Sequence, residues 1–212
     1  MVGLYSYVDS LMTAKQATPD DDLISRLVAV QQAEGRVTWD ELRNLLVTLV
    51  FAAHDNSCHQ FANAMVAFAR YPDQWTLLAR RPELTAQAVE ETLRWCPSVG
   101  ILARFAVEDF DYHGVHISAG TRVAIGVYPA HRDPRAVADG GSFDITAERQ
   151  FTPLLFGGGA HHCLGAALAR AELAEALPVL TSRLGPPSIA GPVTWRPPTG
   201  IYGPNELPLR FG

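Results

Sequence analysis

The chain has 212 residues, 48% hydrophobic and 18% charged, so we expect a substantial core and exclude disorder. Its net charge of −5 argues against a nucleic-acid-binding surface. The longest apolar run, Leu45 to Ala53, is too short to span a bilayer, and the three cysteines form no disulfide framework, so we expect a cytoplasmic protein without a membrane partner.

Helical spacing of apolar residues characterises the first third of the chain. It predicts one helix from Leu4 to Lys15 and another from Asp21 to Gln32. Thr38 and Glu41 then stand three residues apart, as in a capping box that begins a helix. Neither glycine nor proline follows before Pro72, so the pattern predicts a third helix of about 30 residues, against a usual length of about 11 to 12.

The middle of the chain mixes helix, strand and irregular structure. Two prolines bracket a predicted helix from Glu83 to Trp95. Alternating apolar and polar residues from Gly100 to Val127 predict short strands. Turn signals dominate the stretch from Arg132 to Pro153, which we expect to be irregular.

A glycine-rich loop, Gly157 to Gly165, opens the last predicted helix, which runs to about Leu184 and contains Pro178, a residue that can kink it. The tail from Gly185 is rich in proline and glycine, with room for one hairpin. We see neither an internal repeat nor a linker. The sequence therefore predicts a mainly α chain with a minor β region, forming a single unit over residues 1–212.

One cysteine, Cys163, lies in a chemically distinctive context. It precedes a helix that starts at Ala166, where free backbone amides and the helix dipole favour thiolate over thiol. The glycines before it let the backbone approach a bulky planar group, and Phe156 can shield the sulfur from water. These are the requirements for an anionic sulfur ligand to iron.

Other interpretations of this loop are weaker. A phosphate-binding loop would need a lysine followed by serine or threonine, which are missing here. Zinc binding by His161, His162 and Cys163 is disfavoured, because adjacent side chains point in different directions and no fourth ligand has the right spacing. A buried, inert cysteine is the ordinary expectation for a lone cysteine, but the surrounding residues argue against it.

The segment from Phe156 to Gly165 resembles the haem-binding signature of the cytochrome P-450 family, F-x-x-G-x-H-x-C-x-G, at every defined position. The resemblance implies that Cys163 is the axial ligand of haem b (iron protoporphyrin IX), and thus the metal ligand. It also implies that Phe156 screens the sulfur and that His161 contacts a haem propionate. The loop glycines, with Gly157 and Gly165 among them, are expected to lie against the cofactor.

Glu91 and Arg94 are spaced as i and i+3 on one helical face. Alone, such a pair is commonly a solvated surface pair, but its place in the chain resembles the family's E-x-x-R motif. The resemblance implies a structural network with a third member, usually an arginine. Ser142 stands at that position here, so Arg149 is our preferred substitute and Arg132 the second choice. We expect this network to hold the cysteine loop in place.

Arg104, in the first predicted strand, resembles the family's propionate-binding arginine. The alternative is a strand-edge arginine in solvent. The residues just before it, Ser98 to Leu102, are expected by the same resemblance to line part of a substrate pocket.

A polar patch interrupts the apolar third helix and needs a reason, because burying polar groups costs free energy. Ala52 and Ala53 are small enough for a flat macrocycle to lie against them. The segment resembles the family's A-G-x-D/E-T-T pattern, which implies that Asp55 serves in proton delivery to bound oxygen. Asn56 replaces the usual threonine, and Ser57 is a candidate for the missing hydroxyl. A purely structural patch is the alternative.

The resemblance covers nearly the whole chain but only the C-terminal half of the family fold: long distal helix, E-x-x-R helix, small sheet, cysteine loop and following helix. It implies a haem-thiolate monooxygenase that hydroxylates a small apolar organic substrate with O₂. Electrons are expected from a ferredoxin or flavodoxin-type donor with its reductase, because the sequence carries neither a flavin nor a nicotinamide motif.

As a single truncated chain the enzyme is expected to be incomplete, with another chain supplying the N-terminal half of the fold. Two alternatives remain. The first is a catalytically inactive haem-binding fragment, or one part of a split protein. The second is a haem-thiolate isomerase or peroxygenase, for which Asn56 is the indication.

Overall fold

The computed structural model describes residues 2–149, 151–197 and 200–212. Within these residues the helices are α1 (Val2–Ala17), α2 (Leu23–Glu34), α3 (Trp39–Arg70), α4 (Pro72–Arg80), α5 (Thr85–Trp95), α6 (Val127–Ala130) and α7 (Ala166–Arg183). The strands are β1 (Ile101–Phe105), β2 (Phe110–Tyr112), β3 (Val115–Ile117), β4 (Arg122–Gly126), β5 (Pro187–Ile189), β6 (Thr194–Trp195), β7 (Pro204–Glu206) and β8 (Leu209–Phe211). The predicted mainly α chain with a minor β region is confirmed.

The chain divides into two compact units, Met1–Asp55 and Asn56–Gly212. The division falls within α3, which continues through it. The expectation that residues 1–212 behave as a single unit stays a prediction.

Helix caps define the elements of the first unit. The Asp22 carboxylate accepts a hydrogen bond from the Ser25 N–H at 2.8 Å before α2, and Gly35, with φ of 60°, ends that helix. At the start of α3 the Thr38 N–H donates to Glu41 Oε2 at 2.7 Å, and the Glu41 N–H donates to Thr38 Oγ1 at 3.2 Å. The predicted capping box is therefore confirmed. The buried core of this unit consists of Val8, Met12, Val28, Leu42, Leu46 and Val47.

The predicted long helix is confirmed as α3, with 32 residues. Pro72, which the sequence marked only as the end of that helix, is the first residue of α4. Proline suits this place because its fixed φ is helical and its missing N–H would have no intrahelical partner there. Trp75 and Leu78 form the buried face of α4, which the sequence analysis did not predict.

The main core lies in the second unit, between the end of α3 and helices α4, α5 and α7. Its centre is aromatic: the Phe68 ring lies 5.4 Å from the Trp75 ring and 5.3 Å from the Phe143 ring, centroid to centroid. Leu93 of α5 and Leu177 of α7 are also fully buried. This core holds α5 and α7 together, and those two helices support the cysteine loop.

The strands form four two-stranded antiparallel sheets in the described part of the chain. β1 pairs with β4 and β2 with β3, in the region where short strands were predicted. Beyond α7 the sequence predicted one hairpin, but the structure has two strand pairs. β6 pairs with β7, and the flanking strands β5 and β8 pair with each other. The outer pair joins strands far apart in sequence, which a search for neighbouring strands cannot find.

Two helices differ in detail from expectation. A 3-10 turn, Pro82–Leu84, precedes α5, so the regular helix begins later than predicted. Pro178 lies inside α7, which nevertheless continues to Arg183. None of the helices in the described residues has both the length and the apolar character that crossing a membrane requires.

Candidate functional site

The cysteine loop, residues 156–165, joins a 3-10 turn (Leu154–Phe156) to the start of α7. The Cys163 N–H donates to the Phe156 carbonyl at 2.9 Å and closes the loop. The His162 N–H donates to the Gly159 carbonyl at 3.1 Å inside it. Cys163 is exposed and lies three residues before Ala166, the first residue of α7. Backbone hydrogen bonds therefore fix the cysteine while its side chain remains accessible.

Two glycines of the loop lie next to side chains of the predicted site. Gly157 has a φ of 68°, which disfavours other residues, and a Cβ there would lie 3.5 Å from Arg104 Nη2. Gly165 caps α7, and a Cβ there would lie 3.9 Å from Cys163 Sγ. Both glycines named from the sequence therefore adjoin predicted site residues.

Arg104 and His161 are the predicted propionate contacts. Arg104 is exposed on β1, its Nη1 donates to the Ala103 carbonyl at 2.9 Å, and its Nη2 lies beside Gly157. His161 ends a short 3-10 turn in the cysteine loop and is also exposed. The structure thus brings Arg104, far away in sequence, to the cysteine loop.

Phe156 packs inward, with 8% of its surface exposed. The guanidinium carbon of Arg170 on α7 lies 4.6 Å from the centre of its ring. Arg170 Nε in turn lies 2.5 Å from Glu90 Oε1 on α5. The sequence analysis did not identify Arg170 or Glu90, although Arg170 follows Cys163 by two helical turns.

Glu91 and Arg94 form a buried ion pair, with side chains 6% and 1% exposed. Arg94 Nε and Nη2 donate to the two Glu91 carboxylate oxygens, each at 2.7 Å. Its remaining N–H groups donate to the carbonyls of His131 at 3.1 Å, Gly140 at 2.7 Å and Ser142 at 2.6 Å. All five guanidinium donors are therefore satisfied, and one side chain holds two points of the irregular stretch and the residue just before it.

Gly140 allows the irregular stretch to approach Arg94 closely. A Cβ at this position would lie 2.7 Å from the Arg132 Cα, which is too close for any other residue without movement of the backbone. The absence of a side chain lets the Gly140 carbonyl reach Arg94.

Arg149, the preferred third member of the network, has its Nε 3.4 Å from Glu91 Oε2. The contact is an ion pair rather than a hydrogen bond, because the buried Nε has no hydrogen-bond partner among the residues that the structure describes. The Arg149 Nη1 donates to the Ala138 carbonyl. Arg132, the second choice, donates instead to the Trp95 carbonyl and lies over the Trp95 ring. The structure brings Arg149, and not Arg132, to Glu91.

His131 adds a connection that the sequence analysis missed. It is fully buried; its Nε2 accepts from the Leu154 N–H at 2.8 Å, and its Nδ1 lies 3.1 Å from the Arg94 carbonyl. Because Nε2 accepts, Nδ1 carries the proton and donates to Arg94. Burial lowers the pKa of His131 to about 4. The neutral ring thus ties the end of α5 to the turn that leads into the cysteine loop.

The predicted residues of α3 lie on either side of the division between the units. Ala52 and Ala53 are exposed and Asp55 is half-buried in the first unit. Asn56 and Ser57 are half-buried in the second unit. Residues 52–57, which resemble the family pattern, therefore all lie on α3, and both alanines are exposed.

Ser57 has a definite partner. Its Oγ lies 2.6 Å from Glu172 Oε2 on α7, and the hydroxyl donates to the carboxylate. Glu172 was not identified from the sequence, because 115 residues separate it from Ser57. The available signal is weak, because Glu172 is one of several charged residues on the alanine- and leucine-rich helix α7. The Ser57 hydroxyl therefore donates its hydrogen bond to α7.

Residues 98–102, the predicted pocket segment, connect α3 to the C-terminal strands. The Ser98 N–H donates to Gln60 Oε1 at 2.8 Å, and the Ser98 carbonyl accepts from the Tyr202 N–H at 2.7 Å. Val99 and Ile201 form an isolated antiparallel bridge. The segment after β6 therefore also belongs to this region, which the sequence did not indicate.

The sequence profile of the cytochrome P-450 family matches residues 73–183 of this chain. Luteothin monooxygenase of Streptomyces thioluteus is 47% identical over 210 residues, which cover 99% of this chain and 52% of that protein. Nocardicin C N-oxygenase of Nocardia uniformis subsp. tsuyamanensis is 38% identical over 213 residues, which cover 98% of this chain and 53% of that protein.

Solved structures agree with these sequences. CYP164A2 of Mycobacterium smegmatis with econazole bound has a TM-score of 0.91 and 33% identity, and the match covers 98% of this chain and 52% of that one. The chain thus spans about half the length of the relatives it matches. The predicted fold, the C-terminal half of the family fold, is confirmed. The chain belongs to the cytochrome P-450 family.

Proposed function

We propose that this chain supplies the haem-ligating part of a haem-thiolate monooxygenase that hydroxylates a small apolar organic molecule with O₂. Family membership supports monooxygenase chemistry in general terms. The observation that carries the proposal is the exposed Cys163, fixed by the bond from its N–H to Phe156 at the start of α7. Electrons would come from a ferredoxin or flavodoxin-type donor with its reductase.

The residues around Cys163 fit iron protoporphyrin IX. The thiol is accessible and lies at a helix N-terminus, where the dipole favours an anion. Arg104 and His161 are exposed cationic or hydrogen-bonding groups suited to propionates. Gly157 and Gly165 leave room for a flat group; contact of Ala52 and Ala53 with such a group stays a prediction. Thiolate-ligated haem supplies activation of O₂ and insertion of one oxygen atom into the substrate.

The side chains of α3 are proposed to organise protons. Asp55 is the proposed acid of the pattern, and Asn56 can donate an amide N–H but cannot exchange a proton readily. For Ser57 to give its own proton toward the reaction site, the Glu172 carboxyl, whose Oε2 lies 2.6 Å from Ser57 Oγ, would pass a proton to that oxygen in return. The Ser57–Glu172 pair is therefore proposed as a hydroxyl–carboxylate relay that replaces the usual threonine hydroxyl.

The test is a carbon monoxide difference spectrum of the reduced, haem-loaded chain. We expect a thiolate-type Soret band that disappears in Cys163→Ser, because serine cannot supply a thiolate. Cys58→Ser is the matched control, since Cys58 is also an exposed cysteine, and it should keep the band. A histidine-type or haem-free spectrum in the wild-type chain would overturn the proposal.

Incompleteness is the main alternative, in which the chain is an inactive haem-binding fragment or one part of a split protein. Several large apolar side chains of the second unit favour it, because large exposed apolar patches usually mark an interface. Phe105 is 65% exposed and Leu164 is 85% exposed. A turnover assay distinguishes the two possibilities. A complete enzyme oxidises substrate when only the electron donor and its reductase are added, whereas one part of a split protein also needs a second polypeptide that supplies the N-terminal half.

A haem-thiolate isomerase or peroxygenase is the remaining candidate, and Asn56 favours it, because an asparagine relays protons poorly. Turnover with peroxide should then exceed turnover with O₂ and a reductase. Asn56→Thr should reverse that preference if the missing hydroxyl is the cause.

A further inference from the structure

Arg170 is held in a single orientation by polar contacts from two helices. Its Nε lies 2.5 Å from Glu90 Oε1, and its Nη2 donates to Glu90 Oε2 at 3.2 Å. Its Nη1 donates to the Ala166 carbonyl at 3.3 Å, in the first turn of α7. A guanidinium bound on both edges in this way has little freedom to rotate.

The fixed guanidinium covers the face of the Phe156 ring. The distance of 4.6 Å from the guanidinium carbon to the ring centre is that of a cation–π contact. The same residue accepts the Cys163 N–H on its carbonyl at 2.9 Å. Phe156 is therefore attached to Arg170 through its side chain and to Cys163 through its backbone.

Helix α5 supports the cysteine loop from two sides through consecutive glutamates. Successive helical residues point about 100° apart, so Glu90 and Glu91 face different neighbours. Glu91 binds Arg94 and faces Arg149, whereas Glu90 binds Arg170 on α7. The E-x-x-R pair accounts only for the first of these supports.

We propose that Arg170, held by Glu90, is a positioning residue for the Cys163 ligand and acts through the Phe156 ring. The inference rests on the proposed haem-thiolate function. The planar guanidinium keeps the ring in place, and the ring keeps the Phe156 carbonyl aligned with the Cys163 N–H. Loss of the guanidinium lets the ring move, which loosens the bond that fixes the ligand.

The experiment measures how fast the thiolate-type Soret band of the reduced carbon monoxide complex decays to the thiol-type band in the haem-loaded chain. Arg170→Met should speed the decay about fivefold, the size of a partly desolvated cation–π contact. Glu90→Gln should speed it in the same direction, and Arg170→Lys should recover only part of the loss, because an ammonium cannot bridge both edges. Arg183→Met, at an exposed position on the same helix, is the control and should leave the rate unchanged.

A double-mutant cycle with Phe156→Leu separates positioning from a general loss of stability. Once the ring is gone, adding Arg170→Met should change the decay by less than about twofold, within the usual error of additivity. Equal effects of Arg170→Met with and without the ring would overturn the proposal, as would equal decay in Arg170→Met and Arg183→Met. If the wild-type chain shows no thiolate-type band, the proposed function itself fails. If the wild-type band is normal and Arg170→Met leaves its decay rate unchanged, only the positioning role is contradicted.

Discussion

Arg94 and Cys163 lie in the same unit of the molecule and differ in nearly every physical respect. Arg94 is 1% exposed, and protein groups satisfy all five of its N–H donors. Cys163 is exposed, and backbone hydrogen bonds of its loop fix its position. The chain thus completes the support of the cysteine loop by itself, while the face that carries the sulfur is open to a further group.

Folding and ligand binding therefore depend on separate sets of side chains in this unit. A buried charge must be fully paired, because an uncompensated one is costly to keep out of water. An exposed thiol needs only correct placement of its backbone. Substitutions on the two sides should therefore have opposite consequences for stability and for cofactor binding.

The largest effect should come from Arg94→Met, which leaves buried Glu91 with the longer Arg149 contact at 3.4 Å and removes the donors to three backbone carbonyls. We expect a loss of about 3–5 kcal/mol in the free energy of unfolding of the second unit. Urea unfolding followed by tryptophan fluorescence checks this. Arg81→Met is the control, because Arg81 pairs with Glu83 at the surface, and it should cost less than about 1 kcal/mol. Equal losses in the two variants would show that the buried network does not dominate.

The pH dependence of stability should reveal His131. Its pKa is lowered to about 4 by burial, from an ordinary value of 6.5, so the folded state favours the neutral ring. Stability from this group is complete above about pH 6.5 and is lost as the pH falls toward 4, by up to about 3 kcal/mol.

Unfolding curves between pH 7 and pH 4 test this prediction, since His131→Asn should flatten the dependence by removing the titrating group. A slope that persists in His131→Asn would contradict the assignment.

A smaller effect is expected for Ser57→Ala, which removes the hydroxyl that donates to Glu172. Loss of a hydrogen bond to a charged acceptor should lower the free energy of unfolding by about 1–2 kcal/mol. Ser182→Ala, at an exposed site near the end of α7, should be nearly neutral. No difference between the two would mean that the Ser57–Glu172 bond contributes nothing to the packing of α3 on α7.

The smallest effect on stability should be that of Cys163→Ser. Because the side chain is exposed and its loop is closed through the backbone, we expect a change within about 0.5 kcal/mol in the haem-free chain. The same unfolding assay measures it. A loss above about 2 kcal/mol would show that the thiol is part of the packed structure and would remove the contrast with Arg94.

Features set by local spacing were predictable from the sequence. The capping box at Thr38 and the Glu91–Arg94 pair depend on residues within one helical turn, so the sequence states them directly. The cysteine loop is similar, since its glycines and Cys163 are contiguous. The general architecture followed from these segments together with the family resemblance.

Features that join distant segments were not predictable. Arg94 binds backbone carbonyls, which every residue type possesses, so its partners leave no trace in the sequence. Ser57 and Glu172 are ordinary residues until α3 and α7 pack together. Pro72 follows one helix and begins the next. Its place at the start of α4 depends on the packing of Trp75 and Leu78 in the core, which the sequence does not state.

The Arg94 network also has a consequence for the order of events as the chain emerges from the ribosome. Its carbonyl acceptors follow Arg94 by 37, 46 and 48 residues. Synthesis proceeds from the N-terminus, so α5 is exposed well before the groups that satisfy its arginine exist. Long-range closure of this kind is slow compared with helix formation. The Arg94 network should therefore form after α5 itself, and the segment that carries Cys163 is synthesised only after all the carbonyls that bind Arg94.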